Sequence, residues 1–125
     1  QGPPAHGDGS IKAPRFLSNQ QCDTANNGWV SEHRWPEIVE MVKFRNLVND
    51  EPLENWWDNE ENQVAFSRGN KGFVAFNLEE DSELDVNLST GLAEGEYCDV
   101  ISGGRVGNQC GGIKVVVAED GSADI

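Results

Sequence analysis

The chain has 125 residues, of which 37% are hydrophobic, and carries a formal net charge of −13 at pH 7. This length allows one small domain or part of a larger one, with a modest core. A strongly acidic chain is a poor partner for phosphate backbones or anionic lipid, so functions on nucleic acid or membrane surfaces are disfavoured. We expect both ends to be cut, since Gln1 is not Met and the last residues, GSADI, read as the start of a strand.

Residues 1–29 are predicted to be loops. They are rich in Gly, Pro, Asn and Asp, and only IKAPRFL within them could form a short strand. A structureless stretch of this length is unusual in a complete small domain. We therefore expect these loops to lie on a larger body.

One amphipathic helix is predicted within SEHRWPEIVEMVKFRNLVND, residues 31–50. Its apolar side chains follow the spacing of one helical face: Trp35, Ile38, Val39 and Val42. Ser31 is one candidate N-cap, but a start near Trp35 puts Pro36 at the first helical position, where a backbone N–H is not needed. A stripe this wide should be buried against another part of the protein, and the strands that follow are one candidate.

After residue 50 the hydrophobic pattern changes to a period of two, which predicts strands. The predicted strands are NQVAFSRG, KGFVAFNL, ELDVNLST, EYCDVIS and IKVVVAED, with RGN as a tight hairpin between the first two. In the third strand Leu84, Val86 and Leu88 alternate with polar residues, which is typical of an antiparallel sheet with one wet face. A spacing of about ten residues favours a sandwich or Greek key, with a domain boundary near residues 49–52.

Three cysteines allow more than one chemistry. Cys98 and Cys110 bracket a glycine-rich loop without the CxxC spacing of a redox pair and without a nearby histidine to complete a zinc site. The residues favour a disulfide, which implies an oxidising, extracellular compartment. Cys22 is left over, and it is either buried and free or paired outside this chain.

The acidic clusters at residues 58–62 and 79–85 could bind calcium or act in acid–base chemistry. The second cluster lacks the glycine and the bidentate glutamate of an EF-hand loop, and DTANNG has Ala25 at a ligand position. Solvated loop charge is the favoured interpretation of both clusters. Glu32-His33-Arg34 has no nucleophile with a suitable partner set, so it is interpreted as a helix start.

Two surface features could bind or carry sugar. Trp56 and Trp57 could stack on sugar rings, but neighbouring strand positions face opposite ways, so at most one should be exposed. Packing is the favoured role of the pair. Asn87-Leu88-Ser89 is an acceptor sequence for glycosylation of Asn87 on the predicted wet face, a weak signal that agrees with secretion.

Three longer strings carry a resemblance: EHRWPEIVEMVKFRN, ENWWDNEENQVAFSRGNKGFVAFN and TGLAEGEYCDVISG, the last followed by Cys110 twelve residues after Cys98. With the GPP near the start, they resemble the carboxyl-terminal part of animal α-amylases, glycoside hydrolase family 13. The resemblance covers nearly the whole chain. The pairing of NWW with AFSRG is most similar to the arthropod members.

This resemblance implies an α+β fragment. Residues 1–49 would be the last loops and last helix of a catalytic (β/α)8 barrel, and residues 50–125 an incomplete all-β Greek-key C-terminal domain. This agrees with the helix and strands predicted from the residues alone. The resemblance also implies the disulfide between Cys98 and Cys110.

The resemblance further implies that the whole protein hydrolyses internal α-1,4-glucosidic bonds of starch and glycogen with retention, through three carboxylates. These carboxylates, and the calcium and chloride ligands of the family, belong to motifs that this sequence does not match. We therefore expect no catalytic, metal or chloride residue in this chain, which should be structural and inactive alone. The whole protein is expected to be a secreted, monomeric digestive enzyme that binds neither nucleic acid nor membrane.

The sequence departs from the family pattern at three places. Ser31 stands where a cysteine usually bonds the counterpart of Cys22, so Cys22 is expected to be a free thiol. Pro36 replaces a common Arg and should reshape the first helical turn, and Ala93-Glu94 replaces a Pro-Ala turn. Two alternatives stay open: a stand-alone carbohydrate-binding module, favoured if aromatic residues are exposed, and a non-catalytic amylase-like domain.

Overall fold

The computed structural model describes residues 2–125, which divide into two compact units, the first ending at Glu40 and the second beginning at Met41. The helices are α1 (Thr24–Asn27) and α2 (Pro36–Leu47), with a 3-10 turn at Glu32–Arg34 between them. The strands are β1 (Leu53–Asp58), β2 (Gln63–Arg68), β3 (Gly72–Asn77), β4 (Asn87–Ser89), β5 (Gly95–Cys98), β6 (Arg105–Val106), β7 (Gln109–Cys110), β8 (Lys114–Val117) and β9 (Ser122–Asp124). None of the helices in this described part is long and apolar enough to cross a bilayer.

The first unit consists mainly of loops, as the sequence predicts. The IKAPRFL stretch contributes only isolated antiparallel bridges: Ala5 with Ile11, and Phe16 with Cys22. The short helix α1, which the sequence did not predict, begins after Asp23, whose carboxylate accepts a hydrogen bond from the Asn26 backbone N–H. It ends at Gly28, which adopts a left-handed conformation at φ 88° that suits glycine.

Helix α2 begins at Pro36, the position that the sequence predicts. Ser31 does not cap it; this residue lies in the left-handed region at φ 57° and precedes the 3-10 turn without a side-chain cap. The apolar stripe of α2 is open in this chain, with Ile38 42% and Val42 55% exposed. The expected burial of this stripe is therefore not found among the described residues.

The last turns of α2 pack closely on strand β3. Val48, just after the helix, is 1% exposed. A Cβ added at Gly72 would lie 2.6 Å from Phe44 Cε2 and 2.7 Å from Val48 Cγ1. Glycine at this position therefore permits an approach that any side chain would block.

Strands β1, β2 and β3 form an antiparallel sheet in that order. The predicted hairpin joins β2 and β3, with Val64 opposite Phe76 and Phe66 opposite Val74. Along β2 the burial alternates: Ala65 is fully buried, whereas its neighbours Val64 and Phe66 are half-buried. This is the period-two pattern from which the strand was predicted.

The remaining strands pair as antiparallel ribbons: β4 with β9, β5 with β8, and β6 with β7. The alternation predicted in ELDVNLST is present, because Leu88 is buried while Asn87 and Ser89 are exposed, although only these last residues form β4. The buried apolar side chains of the second unit are Val48, Ala65, Leu88, Val117 and Ala123. The second unit is thus built mostly of strands, as expected.

Candidate functional site

A bulge in β1 determines where the two tryptophans point. The register of β1 with β2 shifts between Glu54 and Trp57, and Asn55 within this interval has φ 51°. The Asn55 amide donates a 2.7 Å hydrogen bond to the hydroxyl of Ser67, which is fully buried. A left-handed residue is typical of such bulges, which re-aim neighbouring side chains.

Trp56 consequently lies on the exposed side of the sheet. It is 55% exposed and stacks on Phe66, with ring centroids 5.7 Å apart and an interplanar angle of 13°. Its indole N–H donates a 2.6 Å hydrogen bond to Asp58 Oδ2. Trp57 is opposite Ala65 and half-buried, so one tryptophan is exposed and the other is not.

The disulfide that the sequence predicts joins Cys98 at the end of β5 to Cys110 at the end of β7, with Cα atoms 5.2 Å apart. The loop between them turns on Asp99, which accepts hydrogen bonds from the N–H groups of Ile101 and Ser102 at 3.0 Å. The loop is closed at its base by the backbone pair of Gly104 and Asp99. These contacts give the glycine-rich segment a defined shape.

Cys22 is a buried free thiol, as the departure from the family pattern predicts. Its sulfur is hydrogen-bonded to the hydroxyl of Ser31. Ser31, which stands where the family usually has a cysteine, therefore contacts the Cys22 thiol directly. A polar contact occupies the place of a covalent bond.

The Glu32-His33-Arg34 triplet forms the 3-10 turn and acts structurally. The Arg34 guanidinium lies over the Phe16 ring, with Cζ 4.3 Å from the centroid, and donates a 3.1 Å hydrogen bond to the Gln20 carbonyl. The Arg34 carbonyl accepts from the Gln21 side chain. These contacts tie the turn to the preceding loop.

The two acidic clusters meet at one end of the sheet. Asn59 joins them, donating a 2.5 Å hydrogen bond to Glu79 Oε1 while its own oxygen accepts from the N–H of Gln63. The buried Gln63 in turn donates to the Glu83 carbonyl at 3.1 Å. Among residues 2–125 no three His, Cys, Asp or Glu side chains are grouped as ligands for a metal ion.

Several ionised groups form pairs, of which Asp23 is buried and the others are at least partly exposed. The Arg15 guanidinium lowers the pKa of Asp23, with the Asn26 side chain as the next contribution. A hydrogen bond from Lys114 lowers the pKa of Glu96, and a hydrogen bond to Glu51 raises the pKa of Lys71. These pKa shifts keep Asp23 and Glu96 negatively charged and Lys71 positively charged near neutral pH.

These features define a class: an antiparallel all-β domain with a preceding helix and a disulfide-closed loop. The family model for the α-amylase C-terminal all-beta domain matches residues 55–125, and the chain belongs to this family. The resemblance read from the sequence is thereby confirmed, and so is the all-β character of the carboxyl-terminal part.

Named relatives are α-amylases of fish, birds and insects. The α-amylase of Oryzias latipes is 54% identical over 122 residues, which are 98% of this chain and 23% of that protein. The pancreatic α-amylase of Struthio camelus is 51% identical over 98% of this chain and 24% of its own length. The α-amylase of Tenebrio molitor is 50% identical over 100% of this chain and 26% of its own length. The chain therefore spans about a quarter of the length of these relatives.

Solved α-amylase structures contain a region with the fold of this chain. Wild-type α-amylase I of Eisenia fetida superposes with a TM-score of 0.80 at 39% identity, covering 100% of this chain and 25% of that one. A mutant of that enzyme in complex with maltohexaose gives the same score over 99% of this chain and 24% of that one.

Proposed function

We propose that this chain is the carboxyl-terminal part of an α-amylase that hydrolyses internal α-1,4-glucosidic bonds of starch and glycogen with retention, and that this part has a structural role. The observation that carries the proposal is the identity of 50–54% to α-amylases of a fish, a bird and an insect over almost the whole chain. Relatives this similar over one quarter of their length share this domain.

The structural role follows from the chemistry that retention needs. A retaining glycosidase uses two carboxyl groups about 5–5.5 Å apart, one as nucleophile and one as acid–base catalyst. In the described part of this chain Glu51 and Glu96 are paired with lysines, and Asp23 is paired with Arg15. We place the reacting carboxylates in a preceding barrel, because this sequence matches none of the family motifs that carry them.

The assay compares the full-length enzyme with residues 1–125 on soluble starch. The full-length enzyme should release reducing sugar with retained anomeric configuration, whereas residues 1–125 should release none. Hydrolysis by the short chain would contradict the structural role. A full-length protein without activity would instead support the alternative of a non-catalytic amylase-like domain.

The finer architecture is also a proposal: residues 1–49 complete a (β/α)8 barrel, and residues 50–125 belong to a Greek-key domain. The exposed apolar stripe of α2 supports the first part, because a helix of the outer barrel ring packs its apolar face on barrel strands. Ile38→Asp should lower the thermal midpoint of the full-length enzyme and leave that of residues 1–125 unchanged. Asn46→Asp, exposed on the same helix, serves as the matched control.

We assign the calcium and chloride ions of the family to the preceding barrel. Among residues 2–125 no three His, Cys, Asp or Glu side chains are grouped as metal ligands, which is compatible with this assignment. Chelation should therefore leave the unfolding midpoint of residues 1–125 unchanged. A chelator-dependent midpoint of the short chain would place an ion in it and contradict this assignment.

Secretion into an extracellular, digestive compartment completes the proposal. Its support is the disulfide, because such bonds persist where the environment is oxidising. Starch and glycogen are the expected partners of a monomeric enzyme. Recovery of the oxidised, active enzyme from the medium of secreting cells tests this point.

A second candidate function, binding of an α-glucan to Trp56, is favoured by the Trp56–Phe66 stack. Phe66 covers one face of the indole and Asp58 fixes its edge, so the opposite face is flat and held in place. Such a face suits stacking on a sugar ring. In a starch gel, migration should be retarded for the protein and for Leu53→Ala, whose side chain is equally exposed at 55%, but not for Trp56→Ala. Unretarded migration of the unchanged protein would exclude this function.

A further inference from the structure

We propose that Asn87 carries an N-linked glycan in the secreted protein. Asn87-Leu88-Ser89 is the only Asn-x-Ser/Thr triplet in the 125 residues. The triplet alone is a weak signal, since such sequences are common by chance. The inference comes from the geometry that the fold gives to its three residues, and it rests on the secretion proposed above.

Strand β4 places the middle residue of the triplet on one face and its two outer residues on the other. Leu88 is 8% exposed and belongs to the core, whereas Asn87 and Ser89 on either side of it are exposed. Strand alternation places both polar side chains on the solvent side of β4. The acceptor amide and the hydroxyl residue thus share one face, and a sugar attached there leaves the core packing unchanged.

The surroundings of this face are open. In the register of β4 with β9, Asn87 is opposite Asp124 and Ser89 is opposite Ser122, so the cross-strand neighbours on this face are short and polar. Ala123, the neighbour of Leu88, is 3% exposed and belongs to the core. No apolar side chain of the ribbon has to be displaced for a glycan to project from Nδ2.

The hydrogen bond of the acceptor amide is compatible with the glycan. Asn87 Nδ2 donates to Asp124 Oδ1 at 2.7 Å, which uses one of its two hydrogens. In the transfer, Nδ2 loses one proton and bonds to the anomeric carbon of an oligosaccharide, whose bond to a lipid diphosphate breaks. The remaining N–H still donates to Asp124. The glycan and the cross-strand contact therefore coexist.

The test uses the full-length protein secreted from eukaryotic cells. Release of N-glycans by an amidase in ¹⁸O water should leave an ¹⁸O-labelled aspartate at position 87 in the mapped peptide. Asn87→Gln and Ser89→Ala should both lose this label completely, whereas Ser89→Thr should keep it because a threonine hydroxyl also completes the triplet. Asp124→Asn, which leaves the triplet intact, should keep it as well.

The outcomes separate this inference from the proposed function. An unlabelled position 87 in protein that is secreted and hydrolyses starch overturns the glycan alone. Absence of secretion overturns the extracellular assignment and the glycan with it. Loss of the label in Ser89→Ala, with secretion and starch hydrolysis unchanged, supports the assignment, because a structural role of the serine would affect secretion or activity instead.

Discussion

The two units of the chain close their loops in different ways. In the second unit, Cys98 and Cys110 are bonded covalently across a glycine-rich loop. In the first unit, Cys22 faces Ser31 through a hydrogen bond, and the surrounding loops are held by the Arg15–Asp23 ion pair and by Arg34 over Phe16. The first unit therefore depends on polar contacts where the second has a disulfide and an apolar core.

Serine at position 31, in place of a cysteine, leaves a hydrogen bond where a covalent link could form. A covalent link restricts the unfolded chain, whereas a hydrogen bond mostly exchanges one partner for water. We therefore expect the first unit to open before the second. Four substitutions or conditions test this comparison, in order of decreasing effect.

Removing the disulfide should have the largest effect. Cys98→Ser together with Cys110→Ser frees a loop with a sequence separation of 12 residues. The chain-entropy model gives a loss of about 3 kcal/mol in the free energy of unfolding. Urea unfolding under oxidising conditions measures it, and reduction of the unchanged protein should reproduce the loss. An unchanged urea midpoint would show that the loop contacts of Asp99 suffice.

Restoring a bond in the first unit should give the next largest effect. Ser31→Cys puts a second thiol in contact with the Cys22 sulfur, and the loop that it closes corresponds to a gain of about 2.6 kcal/mol. Thiol titration should find no free sulfhydryl in oxidised protein. Ser31→Ala is the control, in which the Cys22 thiol stays free and the polar contact is lost. Two titratable thiols in the Ser31→Cys protein would show that these side chains do not face each other.

A methyl group at position 72 should destabilise the second unit. Gly72→Ala forces Phe44 and Val48 to move from contacts of 2.6 and 2.7 Å, at a cost of about 1–2 kcal/mol. Gly7→Ala, with no atom within 4 Å of the added carbon, is the matched control and should be neutral. Equal midpoints for the two variants in thermal unfolding would disprove the close packing of the helix end on β3.

Acidification should weaken the contact between Arg15 and Asp23 in the first unit. The pKa of Asp23 is lowered in the folded state by Arg15, so its stabilising contribution is present above the unfolded pKa and disappears as the pH falls through the folded pKa. Protease cleavage near residues 15–28 should therefore increase at strongly acidic pH. In Asp23→Asn the increase in cleavage rate between neutral and acidic pH should be smaller. An acid-independent rate in the unchanged protein would argue against a stabilising ion pair.

Local signals in the sequence predicted the elements that depend on them. Pro36 fixed the start of α2, and the alternation of apolar residues identified β2 and β3 and the inward side of β4. The glycine-rich loop between Cys98 and Cys110 favoured the disulfide. The free thiol at Cys22 followed from the resemblance alone, because it needs knowledge of what usually stands at position 31.

Features that depend on distant pairing could not be predicted in this way. The extent of strand β1 was not predicted beyond Trp56 and Trp57, because its alternation is broken at Asn55 and the bulge exists only through the register with β2. For the same reason the stack of Trp56 on Phe66 has no signal in either segment. The predicted strand over residues 83–90 was too long, because only Asn87–Ser89 has a partner in β9. Asp23 capping α1 was also missed, as a four-residue helix leaves no periodicity.

The position of the disulfide has a consequence for the outcome of proteolytic cleavage. Exposed segments are the preferred places for proteolytic cleavage, and Arg105 in the two-residue strand β6, a cleavage point for trypsin-like enzymes, is exposed between the two bridged cysteines. A cut there would leave both halves tethered and the β5–β8 ribbon intact. In electrophoresis the cleaved chain would migrate as a single species without reductant and as two fragments after the disulfide is reduced.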